Sequence, residues 1–318
     1  MAQEGAPDGV QVVVVGSANV DLEVQVPRWP DPGESVIAVA AEKFPGGKGA
    51  NQAVAASRAG GVSTALISAW GADADSALLE SFVREAGVDT SAVQTVDCPT
   101  GTALVMVDPL GTNVVTVVPG ANARVALDDA GRKLIAQAHV VLAQLEVPVE
   151  TVTEAAKAAK ETEAVFVLNA APTIDLPAEL LENVDVLIVS RHGAHELAKQ
   201  RFGMYPSDDG PLISVLQRLV PSVVMTKGWK GSVVGQEGQE IEFVPALPVE
   251  SVDHTGAGDT FNGVLAAGLA GGASLGDAAR AATAAASISL NRPGAGPSIP
   301  LASEVAVALE TGQVPPAV

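Results

Sequence analysis

Between Asp253 and Gly263 the chain reads DHTGAGDTFNG, and three small residues, Gly256, Ala257 and Gly258, stand directly before an aspartate, Asp259. Small residues let the backbone come close to a ligand, and a helix starting near Asp259 aims free N–H groups and the positive end of its dipole at the same spot. That is an anion site. A carboxylate at its mouth repels phosphate unless it has a task, and the task its chemistry allows is general base for a hydroxyl attacking phosphorus. Asp is also a favoured N-cap, so the local sequence leaves Asp259 open between the two roles.

A second glycine-rich stretch, PGGKGANQ at Pro45–Gln52, surrounds Lys48 with Gly46, Gly47 and Gly49. It lacks the Gly-x-x-x-x-Gly-Lys-Ser/Thr spacing of a P-loop. The phosphate cradle is therefore assigned to Gly256–Gly258, which leaves Lys48 and Asn51 for another ligand.

The elements that must position these residues follow from periodicity. Gln11–Val15 is a short β-branched run ending at Gly16, and Leu22, Val24 and Val26 then alternate with Glu23 and Gln25. Strand runs into strand, which weakens a dinucleotide-binding reading, because that fingerprint needs the first strand to turn into a helix. Gly49–Ala59 and Ala74–Glu85 read as helices and Thr64–Ser68 as a strand, while TALVMV and NVVTVV flank the turn DPLGT as a hairpin. Val140–Leu145, Val165–Leu168, Val186–Val189 and Val223–Thr226 are apolar runs of strand length, with helical segments such as Val152–Lys160 and Leu212–Leu219 between them. A hairpin-like region over Ser232–Val244 and two Ala-rich helices, Asp259–Ala270 and Leu275–Leu290, complete the chain. Such alternation predicts an α/β fold: one doubly wound domain over residues 1–318, its mainly parallel sheet covered by helices on both faces. In that architecture ligands bind at the carboxyl ends of the strands.

Composition narrows the partners. A formal charge of -19 gives no positive footprint for DNA, RNA or an anionic membrane, and 3% aromatic residues make a poor stacking platform for single strands. One cysteine, Cys98, excludes an internal disulfide and a cysteine-built zinc site. The start, MAQEGAPDGV, has no basic and apolar leader, and no apolar run approaches the ~20 residues of a membrane span. The expectation is a soluble cytoplasmic protein that binds neither nucleic acid nor membrane.

Five stretches, GSANVDLEV at 16–24, PGGKGANQAVAASRAG at 45–60, QLE at 144–146, TKGWKG at 226–231 and DHTGAGDTFNG at 253–263, occur in the order and spacing of the ribokinase, or PfkB, family of sugar kinases. The chain resembles that family over nearly its whole length. The resemblance implies a ribokinase-like fold with a small β-sheet lid formed by segments at about 19–45 and 98–119, which in similar proteins often pairs into a homodimer. It also implies transfer of the ATP γ-phosphoryl group to a sugar hydroxymethyl group, with D-ribose as acceptor and Mg²⁺ on the phosphates. By the same matching Asp259 is the base and Gly256, Ala257 and Gly258 form the anion hole. Asn19, Asp21, Gly46, Gly47, Lys48, Asn51 and Glu146 hold the sugar, while Thr226 and Gly228 lie on the nucleotide side, with Lys227 and Lys230 left outside as solvent charges. A mix of carboxylates, amides and one ammonium suits hydroxyls that both donate and accept hydrogen bonds. A K⁺ loop beside the anion hole would draw on Asp253, Thr255, Ser289, Arg292, Gly294 and Ser298.

One family motif is missing. Members commonly carry Asn-x-x-Glu after a mid-chain strand to organise Mg²⁺, and here Ser190 and Gly193 stand at those positions. Glu196, one turn on, or His195 is an alternative contact, and the Arg191, His192 and His195 cluster could meet phosphate directly or simply start a helix in solvent. The departure keeps two other readings open: a kinase for a different sugar or a nucleoside, and a sugar-binding protein with little kinase activity.

Overall fold

The computed structural model describes residues 9–316, so most of the N-terminal stretch read above as lacking a leader lies outside the described residues. Its strands are β1 (Val12–Val15), β2 (Asn19–Gln25), β3 (Ala40–Gly46), β4 (Thr64–Gly71), β5 (Asp89–Val96), β6 (Gly101–Val107) and β7 (Asn113–Val118). They continue as β8 (Val140–Ala143), β9 (Val165–Asn169), β10 (Val186–Ser190), β11 (Ser222–Thr226), β12 (Ser232–Gln236) and β13 (Glu242–Val244). The helices are α1 (Lys48–Val54, continued by a π turn to Ala59), α2 (Ala74–Glu85), α3 (Asp129–Ile135), α4 (Val149–Glu161), α5 (Ala178–Leu181) and α6 (Arg191–Phe202). After them come α7 (Asp209–Leu216), α8 (Ala257–Ala270), α9 (Leu275–Ser289), α10 (Ala295–Ser298) and α11 (Ala302–Thr311).

Nine strands form one sheet in the order β13-β12-β11-β10-β9-β8-β1-β4-β5. Pairing is parallel from β5 to β11, and the β11–β12–β13 edge is antiparallel, so the region Ser232–Val244 is the hairpin its spacing suggests. All four valines of β1 are fully buried, as a central parallel strand requires. Because successive side chains leave a strand on opposite faces, Val13 and Val15 join one core with Ile135, Val152, Leu197 and Leu212, while Val12 and Val14 join another with Val54, Leu79, Leu265 and Ala282. Helices α3 to α7 therefore cover one face, and α1, α2, α8 and α9 the other. The sheet is doubly wound.

Strand β5 was not legible. Its burial shows no alternation, with only Ala92 buried, because it is an edge strand whose pairing with β4 shifts register between Ala65 and Ile67.

A second, four-stranded sheet has the order β3-β2-β6-β7, with β2 and β6 parallel and the outer pairs antiparallel. The register puts Asn19, Asp21, Ala103, Val105 and Val115 on one face, which looks onto the start of α8 across a shared cavity. On its other face Leu104, Val114 and Val118 are exposed. Two close approaches hold α1 and α8 together. A Cβ on Gly263 would come within 2.4 Å of the Gln52 carbonyl, and one on Gly60 within 2.2 Å of the Ala267 methyl. Asp259, one turn before Gly263, is thereby carried to the side chains of Asn51 and Gln52.

Candidate active site

Helix α8 begins at Gly256, whose φ of 76° is left-handed and whose absent Cβ would lie 2.8 Å from the Ala295 Cα. Both facts demand glycine. Beyond it the first-turn N–H groups have no intrahelical acceptor, and the dipole adds positive potential there. The turn Gly256–Asp259 separates two cavities. One, of about 170 Å³, is lined by the polar groups of Asn19, Asp21, Lys48, Asn51, Glu146 and Asp259 and, from the second sheet, by Ala103, Val105, Val115 and Val117. The other, of about 230 Å³, is lined by Thr226, Gly228, Trp229, Ala257, Gly258 and Phe261 among others. Gly256 and Asp259 thus border the first cavity, while Ala257 and Gly258 border the second.

In the first cavity one lysine is set among three carboxylates. Lys48 Nζ lies 3.8 Å from Glu146 Oε1, whose other oxygen accepts from Ser17 Oγ at 2.6 Å. Asp259 foremost, with Glu146 and Asp21, holds the Lys48 ammonium above its ordinary range against the effect of burial. Asp21 is pushed up from 3.8 to about 7, first by burial and then by Glu146 and Asp259, with Lys48 opposing. Asn19 is fixed by Asn122, whose Nδ2 donates to Asn19 Oδ1 at 2.6 Å while its own Oδ1 accepts from Ala18 N at 2.8 Å. Asn51 donates to Asp259 Oδ2 over a long 3.3 Å, and its buried Oδ1 has no partner within the protein. A buried acceptor left unpaired costs about 1–3 kcal/mol, so a ligand hydroxyl that donates to it gains accordingly. Gly47, at φ 90°, brings the backbone against Ala18 and Asn19, and Gly46 leaves room for the Asp21 carboxylate.

The charge on Asp21 has a consequence for folding. The folded protein keeps a proton there that the unfolded chain, with its ordinary carboxylate, has already released, so this group lowers stability as pH rises from 3.8 to about 7. Asp21→Asn is expected to raise Tm by about 2–6 °C at pH 8, with the gain shrinking as pH is lowered toward 4. A gain that stays flat from pH 5 to pH 8 in scanning calorimetry would contradict this account.

The remaining sequence-derived residues divide. Thr226 and Gly228 do line the second cavity. Lys227 is not a solvent charge: it pairs with Asp209 and sits 5.3 Å over the Phe243 ring. Lys230 lies 5.1 Å over the Trp229 ring. Ser190 caps α6 by accepting from Gly193 N at 3.0 Å, which uses both positions of the missing motif for local structure. Arg191 donates to Asp209 Oδ1 at 3.0 Å and to the Ser207 carbonyl at 2.9 Å, so its guanidinium is held at the start of α7. None of Ser190, Gly193, His195 and Glu196 lines either cavity.

Beside the cradle, Asp253 ties two loops together. Its Oδ1 accepts from the N and Oγ1 of Thr255 at 2.8 and 2.7 Å, and its Oδ2 from Gly294 N at 2.7 Å. Burial alone would raise Asp253; these hydrogen bonds outweigh it and hold the carboxyl below its usual range. Ser289 and Ser298 donate to the carbonyls of Ala286 and Ala295, and Arg292 pairs with Glu304.

Residues 10–302 match the pfkB family of carbohydrate kinases. The chain belongs to that family. It is an ATP-dependent carbohydrate kinase. The kinase is 34% identical over 304 residues to a ribokinase of Lactococcus lactis, covering 94% of this chain and 97% of the relative. It is 36% identical over 267 residues to a bifunctional ribokinase/ribose-5-phosphate isomerase A of Fructilactobacillus sanfranciscensis, of which the match spans 48%. In three dimensions it resembles the Arabidopsis thaliana ribokinase solved with ribose and ATP, with a TM-score of 0.87, 31% identity and coverage of 95% and 99% of the two chains.

Several residues around the two cavities, most of them inside the quoted motifs, were given no role from the sequence. Trp229, 74% exposed, presents its ring at the mouth of the second cavity, and His254 lines the same wall. Gln52, Gln144 and Asn169, all buried, connect to Asp259. The motifs place these residues near the site, but nothing in the near sequence of Gln52, Gln144 or Asn169 names its partner.

Proposed function

We propose that this kinase transfers the γ-phosphoryl group of ATP to the 5-hydroxyl of D-ribose, giving ribose 5-phosphate and ADP. One observation carries the reading: the turn Gly256–Asp259 lies between two cavities, with its only aspartate on the side of Asn19, Asp21, Lys48, Asn51 and Glu146 and with Ala257 and Gly258 on the side of Thr226 and Gly228. Ribose would lie in the first cavity, its hydroxyls donating to Asn51 Oδ1, Asp21 and Glu146 and accepting from Lys48 and Asn19. Asp259 takes the proton of the attacking hydroxyl, whose oxygen forms the new bond to phosphorus as the bond to the ADP oxygen breaks. The N–H groups of Gly256, Ala257 and Gly258 hold the transferring group from the other side, at the positive end of α8. Thr226 and Gly228 border the nucleotide. Mg²⁺, when bound, supplies charge neutralisation between the phosphates.

Among the described residues no group of three or more His, Cys, Asp or Glu side chains is placed to hold a metal. Together with the capped Ser190 and Gly193, this favours a Mg²⁺ held chiefly by phosphate oxygens. A K⁺ ion on the carbonyls of the loop that includes Asp253, Thr255, Ser289, Arg292, Gly294 and Ser298 would stiffen the cradle next to it. We read the kinase as one domain, 1–318, with the second sheet as a lid over the sugar and its exposed face, Leu104, Val114 and Val118, as the contact of a homodimer. A lid that excludes water limits idle hydrolysis of ATP. The reading places the enzyme in the cytoplasm.

The test is ADP release from ATP and Mg²⁺ over ribose, deoxyribose, fructose and adenosine, with and without K⁺. Ribose is expected to give the highest kcat/KM, and a higher value on adenosine or fructose would replace the assignment. Lys48→Ala is expected to raise the sugar KM by about 10- to 100-fold, the worth of a charged hydrogen bond, with the ATP KM within about twofold. An equal rise in both constants would move Lys48 to the nucleotide.

A further inference from the structure

We infer that Gln52 is a positioning residue for Asp259, fixing one carboxylate oxygen and leaving the other for the acceptor hydroxyl. Gln52 is fully buried on α1, next to Asn51. Its Nε2 donates to Asp259 Oδ1 at 2.8 Å and to Asn169 Oδ1, at the end of β9, at 3.2 Å. Its Oε1 accepts from Nε2 of the equally buried Gln144, just after β8, at 2.6 Å. A carboxylate only accepts, so the amide nitrogen of Gln52 must be the end that faces Asp259, and the bond from Gln144 locks it there.

The chain makes room for this arrangement. A Cβ on Gly16 would lie 1.9 Å from Gln144 Oε1, so the glycine that ends the first strand run is what admits the second amide. Gln144 Oε1 itself has no protein partner, and a buried acceptor left bare is tolerated only where the remaining contacts outweigh it. The network joins α1 and α8 to the carboxyl ends of two central strands. With Oδ1 held at 2.8 Å and Oδ2 reached only by Asn51 at 3.3 Å, Oδ2 is the oxygen that receives the proton.

The inference rests on Asp259 acting as base, and the experiment separates the two. Gln52→Met, near in volume but without donors, is expected to lower kcat by about 10- to 100-fold, the scale of a misplaced reacting group, while the KM values for ribose and ATP stay within about twofold. Gln144→Met keeps the Gln52 contact but frees its amide to turn, and is expected to lower kcat several-fold with KM unchanged. Gln52→Glu sets a second carboxylate against Asp259 in place of the donor, and is expected to lower kcat at least as far as Gln52→Met. The other charged groups around Asp259, namely Lys48, Asp21 and, across them, Glu146, are the same in all variants. If Asp259→Asn abolishes turnover while folded Gln52→Met keeps kcat within twofold, the positioning role is wrong and the base assignment stands. If Asp259→Asn itself turns over normally, both fall. Should Gln52→Met not fold, Gln144→Met decides: unchanged kcat overturns the inference, and reduced kcat at constant KM supports it.

Discussion

Asp259→Asn is expected to bind ribose and lose phosphoryl transfer by about 10²–10⁴-fold, the contribution of a placed general base. The reason lies in which atoms change. Asn51 Nδ2 and Gln52 Nε2 both donate to the carboxylate, at 3.3 and 2.8 Å. An asparagine there keeps its one carbonyl oxygen toward Gln52, the shorter bond, and turns its NH₂ toward the acceptor hydroxyl. That group cannot take a proton. Sugar binding survives, since Asn19, Asp21, Lys48 and Glu146 keep their places and the negative charge crowding Asp21 is reduced, while Asn51 loses only its long 3.3 Å bond to Oδ2. Calorimetry with ribose alongside ADP release checks both halves, and a kcat within tenfold of the wild type would remove Asp259 from the role of base.

Gly258→Val should separate catalysis from folding. A Cβ at Gly258 meets nothing within 4 Å, and valine is a better helix residue than glycine, so Tm should not fall. Gly258 lines the second cavity, beside the first turn of α8, so the added side chain narrows the space proposed for the nucleotide phosphates. The expected loss in kcat/KM for ATP is at least about a hundredfold, comparable to removing one donor from an oxyanion hole. Gly256→Val provides the contrast, because its left-handed φ and the Ala295 backbone at 2.8 Å add about 1–3 kcal/mol of strain to the catalytic loss. Near-wild-type use of ATP by Gly258→Val would mean that phosphate does not sit at this turn.

What could be read from the chain alone was what is local. Helix α2 runs from Ala74 to Glu85 as its spacing indicates, because its cap, Asp73, accepts from Ser76 N three residues away and its stop, Gly87, follows at once. Gly256 is legible for the same reason, since its left-handed φ restricts the residue type, whereas the need for glycine at Gly263 comes from the distant Gln52 carbonyl and shows only in the fold. The loss of Asn-x-x-Glu at Ser190 and Gly193 was likewise visible, though not that the pair had become a helix cap.

The catalytic surroundings were legible only in part. The motifs named Asp259, Lys48 and Glu146, but no pattern in the chain pairs Gln52 with Asp259 across 207 positions, or Asn122 with Asn19 across 103. Those bonds exist because the sheet stacks its strand ends side by side and Gly263 lets α8 lie against α1. Burial then decides the chemistry: the same Asp21 that would be an ordinary carboxylate in a loop is held near 7 by desolvation and two neighbouring acids. Residue type and spacing determine which groups can act, while the distances between elements far apart in the chain determine which of them meet and in what state of charge.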